Sequence, residues 1–233
     1  MPEEKAEILG HEGAGSVDRR LAYGLRRVLP WTRADAKNDE AITFVRPHRR
    51  YGPFYPVLFE WYEGLLARPD CRLPDQEGVA AISSGGRLYT RISYDRRREA
   101  LRIDHTPVRN VPFALREAGV RWDQAIVESA PERVLDLALT LAWHLFQGMP
   151  VQRGNASIVE DVLWTLLALR GIECRYEPAA GRPSLDLSAI FAPEPRRFID
   201  WVRAHALART ATGTLAAHAP RNVKDASLQA FFT

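Results

Sequence analysis

Cysteine is nearly absent: the 233 residues contain only Cys71 and Cys174, far apart and in no paired motif. Two such thiols fit no tetrahedral zinc spacing and suit a reducing compartment better than a disulfide framework. Lysine is equally rare, with only Lys5, Lys37 and Lys224, so the basic charge is almost all arginine. Charge of one sign does not accumulate either. The net charge of +3 is too small to mark a nucleic-acid binder, and an Ala- and Arg-rich composition is also what a GC-rich genome imposes. The stretch Arg46-Pro47-His48-Arg49-Arg50-Tyr51 mixes basic and aromatic side chains, but no helix-turn-helix or RNA-binding signature accompanies it, so nucleic acid is not an expected partner. No apolar run approaches the ~20 residues needed to cross a bilayer, which predicts a soluble chain without a membrane partner. The acidic start MPEEKAEILGHEG lacks an apolar signal core, so Sec export is not expected. That leaves the cytoplasm, or delivery by a specialised bacterial secretion system. P-loop, G-x-S-x-G, H-E-x-x-H and dinucleotide fingerprints are all missing, and there is no internal repeat.

What is present is an ordinary globular composition, 46% apolar and 26% charged, long enough for one large domain. Residues 1–15 read as a loose leader and residues 16–233 as a single domain. Ser16 opens a predicted helix over 16–29 with Val17, Leu21, Leu25 and Val28 on one face, and a second helix is predicted over 56–67. Then the period changes. VAAIS, RLYTRISYD and ALRIDHT read as three short strands of an antiparallel meander covering residues 79–107, with the arginine-rich turn RRRE as a solvated tip. Alternation along the middle strand sets Tyr89, Arg91 and Ser93 on one side and Leu88, Thr90, Ile92 and Tyr94 on the other. Residues 132–147 and 158–170 are apolar nearly all round, which predicts two neighbouring helices buried at the centre. A last helix is predicted over 195–209, and the terminal LQAFF reads as a short docking helix. The class predicted is mainly α with a small antiparallel β meander, around a buried helix–loop–helix spanning residues 131–171.

The loop between the two central helices reads Gln147-Gly148-Met149-Pro150-Val151-Gln152-Arg153-Gly154-Asn155-Ala156-Ser157. It is polar, although it joins two buried helices. Gly154 and Asn155 tolerate positive φ and can expose successive N–H groups. Those donors run into a helix N-terminus, where the macrodipole favours an anion, and Arg153 adds a charged fork. A phosphate satisfies all three. The plainer reading is that Asn155 or Ser157 caps the helix, since Ser157 and Glu160 have the S-x-x-E spacing of a capping box. Both readings stand at this point.

The stretch MPVQRGNAS resembles, position for position, the H-P-F-x-[D/E]-G-N-G-R loop of Fic proteins. The flanks PERVLDLALTLAWHLFQG and IVEDVLWTLLALRGI are similar to the helices that bracket that motif, so the resemblance covers some 40 residues. It implies a fido-like helical fold whose loop cradles the phosphates of a nucleotide for transfer to a protein hydroxyl, with histidine as general base. Pro150, Gly154 and Asn155 match the motif, and Val151 is an apolar counterpart. Met149 stands where the histidine would be, Arg153 where the metal-binding acid would be, Ala156 in place of the second glycine and Ser157 in place of the phosphate-binding arginine. Methionine accepts no proton. Without the acid, magnesium is not expected, and Arg153 would supply the positive charge instead.

Two expectations follow. The first is a divergent transferase of nucleotidyl, phosphoryl or glycosyl type. It would hold a phosphate-bearing ligand with Arg153, Gly154, Asn155 and Ser157 and modify a protein target, with His144, five residues before Met149, as the base. The second is a catalytically inactive fido-like module that works through protein–protein contacts. A role as a host-directed bacterial effector is compatible with either. In Fic proteins a β-hairpin flap beside the motif pairs with the target by strand addition. The resemblance implies that role for the hairpin over 88–105, through Tyr89 and Arg91. Asp104 and His105 adjoin at the end of the last strand without an assignable nucleophile.

Overall fold

A computed structural model of the chain describes residues 43–47, 55–151, 154–176, 183–205 and 207–208. In chain order the elements are β1 (Thr43–Pro47), α1 (Tyr55–Ala67), β2 (Val79–Ser84), β3 (Arg87–Asp95), β4 (Ala100–Asp104), α2 (Val111–Val127), α3 (Pro131–Gly148), α4 (Asn155–Leu169), β5 (Arg175–Tyr176), α5 (Leu185–Ile190), α6 (Pro195–His205) and β6 (Leu207–Ala208). The protein is mainly α with a small antiparallel sheet. None of the described helices is long and apolar enough to cross a membrane. The leader, the predicted helix over 16–29, most of the 46–51 stretch, Gln152, Arg153 and the LQAFF end lie outside the described residues.

Helix α3 is the axis of the fold. Its second half buries Leu141, Ala142, Trp143, His144, Leu145, Phe146, Gln147 and Gly148 without a break, because α2, α4, α5, α6 and β3 all pack against it. Its first half is one-sided, and there Arg203 of α6 ties down to Glu132 at 2.5 Å and Asp136 at 2.7 Å. Helix α4 departs from the expectation of burial on all sides. Asn155, Val159, Val162, Leu163, Leu166 and Leu167 are buried, whereas Ser157, Asp161 and Ala168 are exposed and Trp164 is half-buried. Its apolar residues exceed what its single contact face can use.

Several elements lie beyond the sequence expectations, among them α5, α2 and β1. Helix α2 buries Ala114, Ala118, Trp122 and Ala125, a mostly alanine face that gives little hydrophobic contrast. It lets α3 approach closely: a Cβ placed on Gly148 would lie 2.6 Å from the Ala114 Cβ. Strand β1 pairs with β4, so the meander of three strands is a sheet of four, in the order β1-β4-β3-β2.

The β2–β3 register shifts between Ile82 and Ser83. Ile82 pairs with Thr90 and Ser83 with Leu88, which leaves Tyr89 as the extra residue of a β-bulge. The bulge breaks the alternation, and both Tyr89 and Thr90 are fully buried towards α3.

Candidate functional site

The loop begins where α3 ends. Met149 takes the left-handed conformation, φ 43° and ψ 61°, and its N–H donates to the Leu145 carbonyl at 2.9 Å. A left-handed residue after the last turn is a common way to stop a helix, though glycine usually serves there. Val151 is buried beyond it. Gly154, also left-handed at φ 74°, precedes the first residue of α4. Asn155 then turns its side chain back, so that Nδ2 donates to the same Leu145 carbonyl at 3.3 Å. One oxygen thus fastens both ends of the loop.

This arrangement replaces the predicted capping box. The N-cap is Gly154, which has no side chain with which to cap, and Ser157 is an exposed residue inside the first turn. No side chain of a described residue accepts from the first-turn N–H groups. Gly154 itself is exposed, and a Cβ there would meet nothing within 4 Å. Among the described residues the site therefore offers main-chain donors without a side-chain partner at the start of a 15-residue helix. The Asn155 Oδ1 is buried and has no hydrogen-bond partner among the described residues. It is an acceptor, so what Asn155 offers an anion is its main-chain N–H.

Behind the loop lies a buried polar layer. Gln147 is fully enclosed: its Oε1 accepts from Thr90 Oγ1 at 2.6 Å and its Nε2 donates to the Ala189 and Ile190 carbonyls at 2.9 and 3.2 Å. Thr106 Oγ1 donates to the Gln147 carbonyl at 2.8 Å. His144 Nδ1 lies 3.0 Å from the Tyr89 hydroxyl, with the Trp143 ring on its flank. Burial, helped by the charge of Arg121, lowers the His144 pKa to about 4, so the imidazole is neutral at pH 7. Burial also raises the Tyr89 hydroxyl well above its ordinary range.

The predicted site residues thus fall into separate groups. Gly154, Asn155 and Ser157 share the start of α4, and Arg153 lies outside the described residues. His144 and Tyr89 come together in the core as a pair that alternation in the sequence did not suggest. Tyr89 has no exposed surface and cannot meet a partner protein, a correction that follows from the bulge. Arg91 is half-buried on β3, between Ala81 of β2 and Asp104 of β4. Strand addition at the 88–105 hairpin is closed as well, since among the described residues β2 pairs with β3 and β1 with β4, so neither strand of the hairpin is an edge. Glu160, assigned to capping in the sequence, is instead a half-buried carboxyl whose pKa is raised by burial first and then by Asp186 and Asp161. No signal in the sequence placed Asp186 near it. Among the described residues no cluster of His, Cys, Asp and Glu could hold a metal ion. No protein-family model matches the chain, and no curated protein matches it.

Proposed function

We propose that residues 149–157 form a phosphate-binding loop and that the chain is a divergent, fido-like module which takes a nucleotide or a related phosphate ligand there. The observation that carries this reading is the uncapped start of α4. Left-handed Gly154 opens into free space and no described side chain takes the first-turn donors. Aligned N–H groups at a helix N-terminus favour an oxyanion, and Arg153, next in the chain, adds a full charge.

Of the two functional expectations, the arrangement favours binding without nucleotidyl transfer. Transfer to a hydroxyl needs a proton acceptor within hydrogen-bond reach of that hydroxyl. Met149 has none to give. His144 is 3% exposed, engaged with Tyr89, and weakly basic at a pKa of about 4. A partner protein would then be engaged by the ligand-bound module rather than modified.

Thermal unfolding with ATP, GTP, CTP and nucleotide sugars, each with and without magnesium, tests the reading. A ligand at a hundred times its Kd adds about 2.7 kcal/mol, or roughly 5–10 °C for a chain of this size. Arg153→Ala is expected to remove most of that shift and to leave the ligand-free midpoint unchanged. Absence of a shift with every ligand would overturn phosphate binding. Transfer of radiolabel from a binding nucleotide to protein would restore the transferase reading.

A further inference from the structure

We infer that the groove between α1 and α6 binds a planar aromatic carboxylate. Its volume is about 410 Å³, within the range of small-ligand pockets. Trp61 and Gly64 of α1, Arg68 just past its end, Phe191, and Arg197 and Trp201 of α6 line the groove. The Trp61 and Trp201 rings stand edge to face, 5.8 Å apart at 88°, and Trp61 lies 6.1 Å from Phe191. Rings set at steep angles present both faces and edges, the surfaces on which a flat aromatic ligand packs.

Gly64 is the second observation. It sits in the interior of the 13-residue α1, where glycine weakens a helix relative to alanine. Nothing in the packing calls for it: a Cβ at this position would meet no atom within 4 Å, and the backbone there is ordinary helix. Its effect is to leave that part of the groove lining without a side chain.

The charges set the polarity of the ligand. Arg197 reaches Glu194 only at 3.8 Å, beyond hydrogen-bond distance, and its side chain is 65% exposed, so its fork is open to a carboxylate. Arg68 is preset by two bonds to Asp70 at 3.1 and 2.8 Å. Glu60 also lines the groove and repels a second anion. A bicyclic ring carrying a single carboxylate matches this volume and charge pattern. The inference is independent of the phosphate reading. Helix α5 separates the two places: its Ser188 lines the groove, while the Ala189 and Ile190 carbonyls face Gln147.

Calorimetric titration of the full chain with 2-naphthoate, beside uncharged 2-naphthalenemethanol, tests it. Saturable one-site binding of 2-naphthoate is expected, with the alcohol weaker by about tenfold for loss of one charged contact. Arg197→Gln is expected to bring 2-naphthoate down to the level of the alcohol. Gly64→Leu is expected to abolish binding of both, with a melting midpoint no lower than that of the parent, since leucine is the better helix former and has room there. Absence of saturable 2-naphthoate binding overturns the inference, as does equal affinity for both compounds or retained binding in Gly64→Leu. A concentration-dependent dimer that Gly64→Leu dissociates would assign the groove to a second copy and overturn it as well.

Discussion

Gln147 has no exposed surface, and its side chain joins three elements: Thr90 of β3 donates to it, it donates to the end of α5, and it stands on α3. Gln147→Leu keeps the volume but strands the Thr90 hydroxyl and the Ile190 carbonyl, while the Ala189 carbonyl still accepts from the Ala192 N–H. Each buried polar group so stranded costs about 1–3 kcal/mol, so urea unfolding of this variant is expected to show a loss of about 2–4 kcal/mol. A loss under 1 kcal/mol would mean that the layer is wet or slack. His144 gives the same layer a pH dependence. Its folded pKa, about 4, lies below its ordinary 6.5, so between those values the unfolded chain binds the extra proton. Stability is then complete above about pH 6.5 and declines as pH falls towards 4, by about 3 kcal/mol at most. Glu160, with its pKa raised, slopes the other way at the acid end and trims the effect. Urea midpoints between pH 7 and 4.5 should fall for the parent and run flatter for His144→Gln, and equal slopes would refute the assignment. None of this was legible in the sequence. A lone glutamine and a lone histidine on an apolar helix carry no mark of their partners, and the β3 alternation set Tyr89 beside Arg91 because a bulge is not written in a period of two. The left-handed glycine of the loop was legible, since few other residues tolerate such a turn, whereas the other left-handed residue is Met149 and not Asn155, which already belongs to the helix.

At the scale of elements, what the sequence conveyed depended on hydrophobic contrast. Helices α1, α3 and α6 and the strands β2 to β4 carry enough of it to be read directly. Helix α2 does not, because Ala114, Ala118 and Ala125 barely differ from a solvent-facing stripe. Those alanines matter through what they permit, the close approach of Gly148. Gly148→Ala is therefore expected to destabilise by about 1–3 kcal/mol through overpacking, although alanine is the better helix former. Adding Ala114→Gly should recover part of that loss in the double variant. Thermal unfolding of the four chains checks the coupling, and strict additivity would show that the two positions do not touch. Helix α4 errs in the opposite direction. Its run of large apolar residues suggested burial all round, but one face is enough to hold it, and the surplus leaves Trp164 half in solvent.

For the molecule as a whole, enclosure of α3 sets the hierarchy of motion. Residues 141–149 are all buried and ringed by four helices and a strand. Main-chain amides in the second half of α3 are expected to exchange hydrogen only through global unfolding, with α1 and the outer face of α4 exchanging sooner. Mass spectrometry of exchanged peptides would show it, and faster exchange in α3 than in α1 would contradict the architecture. The general plan was readable from two strongly apolar segments joined by a short connection. Which helix lies innermost was not, because both segments carry similar apolar content and only the neighbours decide.

The shared oxygen at Leu145 has a consequence for descent. Because the departure from α3 and the entry into α4 are pinned at a single point, the stretch between them acts as a detachable insert. Lengthening it, or exchanging its residues other than the buried Val151, is expected to leave the phase of the following helix alone. A lineage could therefore rewrite what this segment recognises, or discard its chemistry altogether, without having to rebuild the body that displays it.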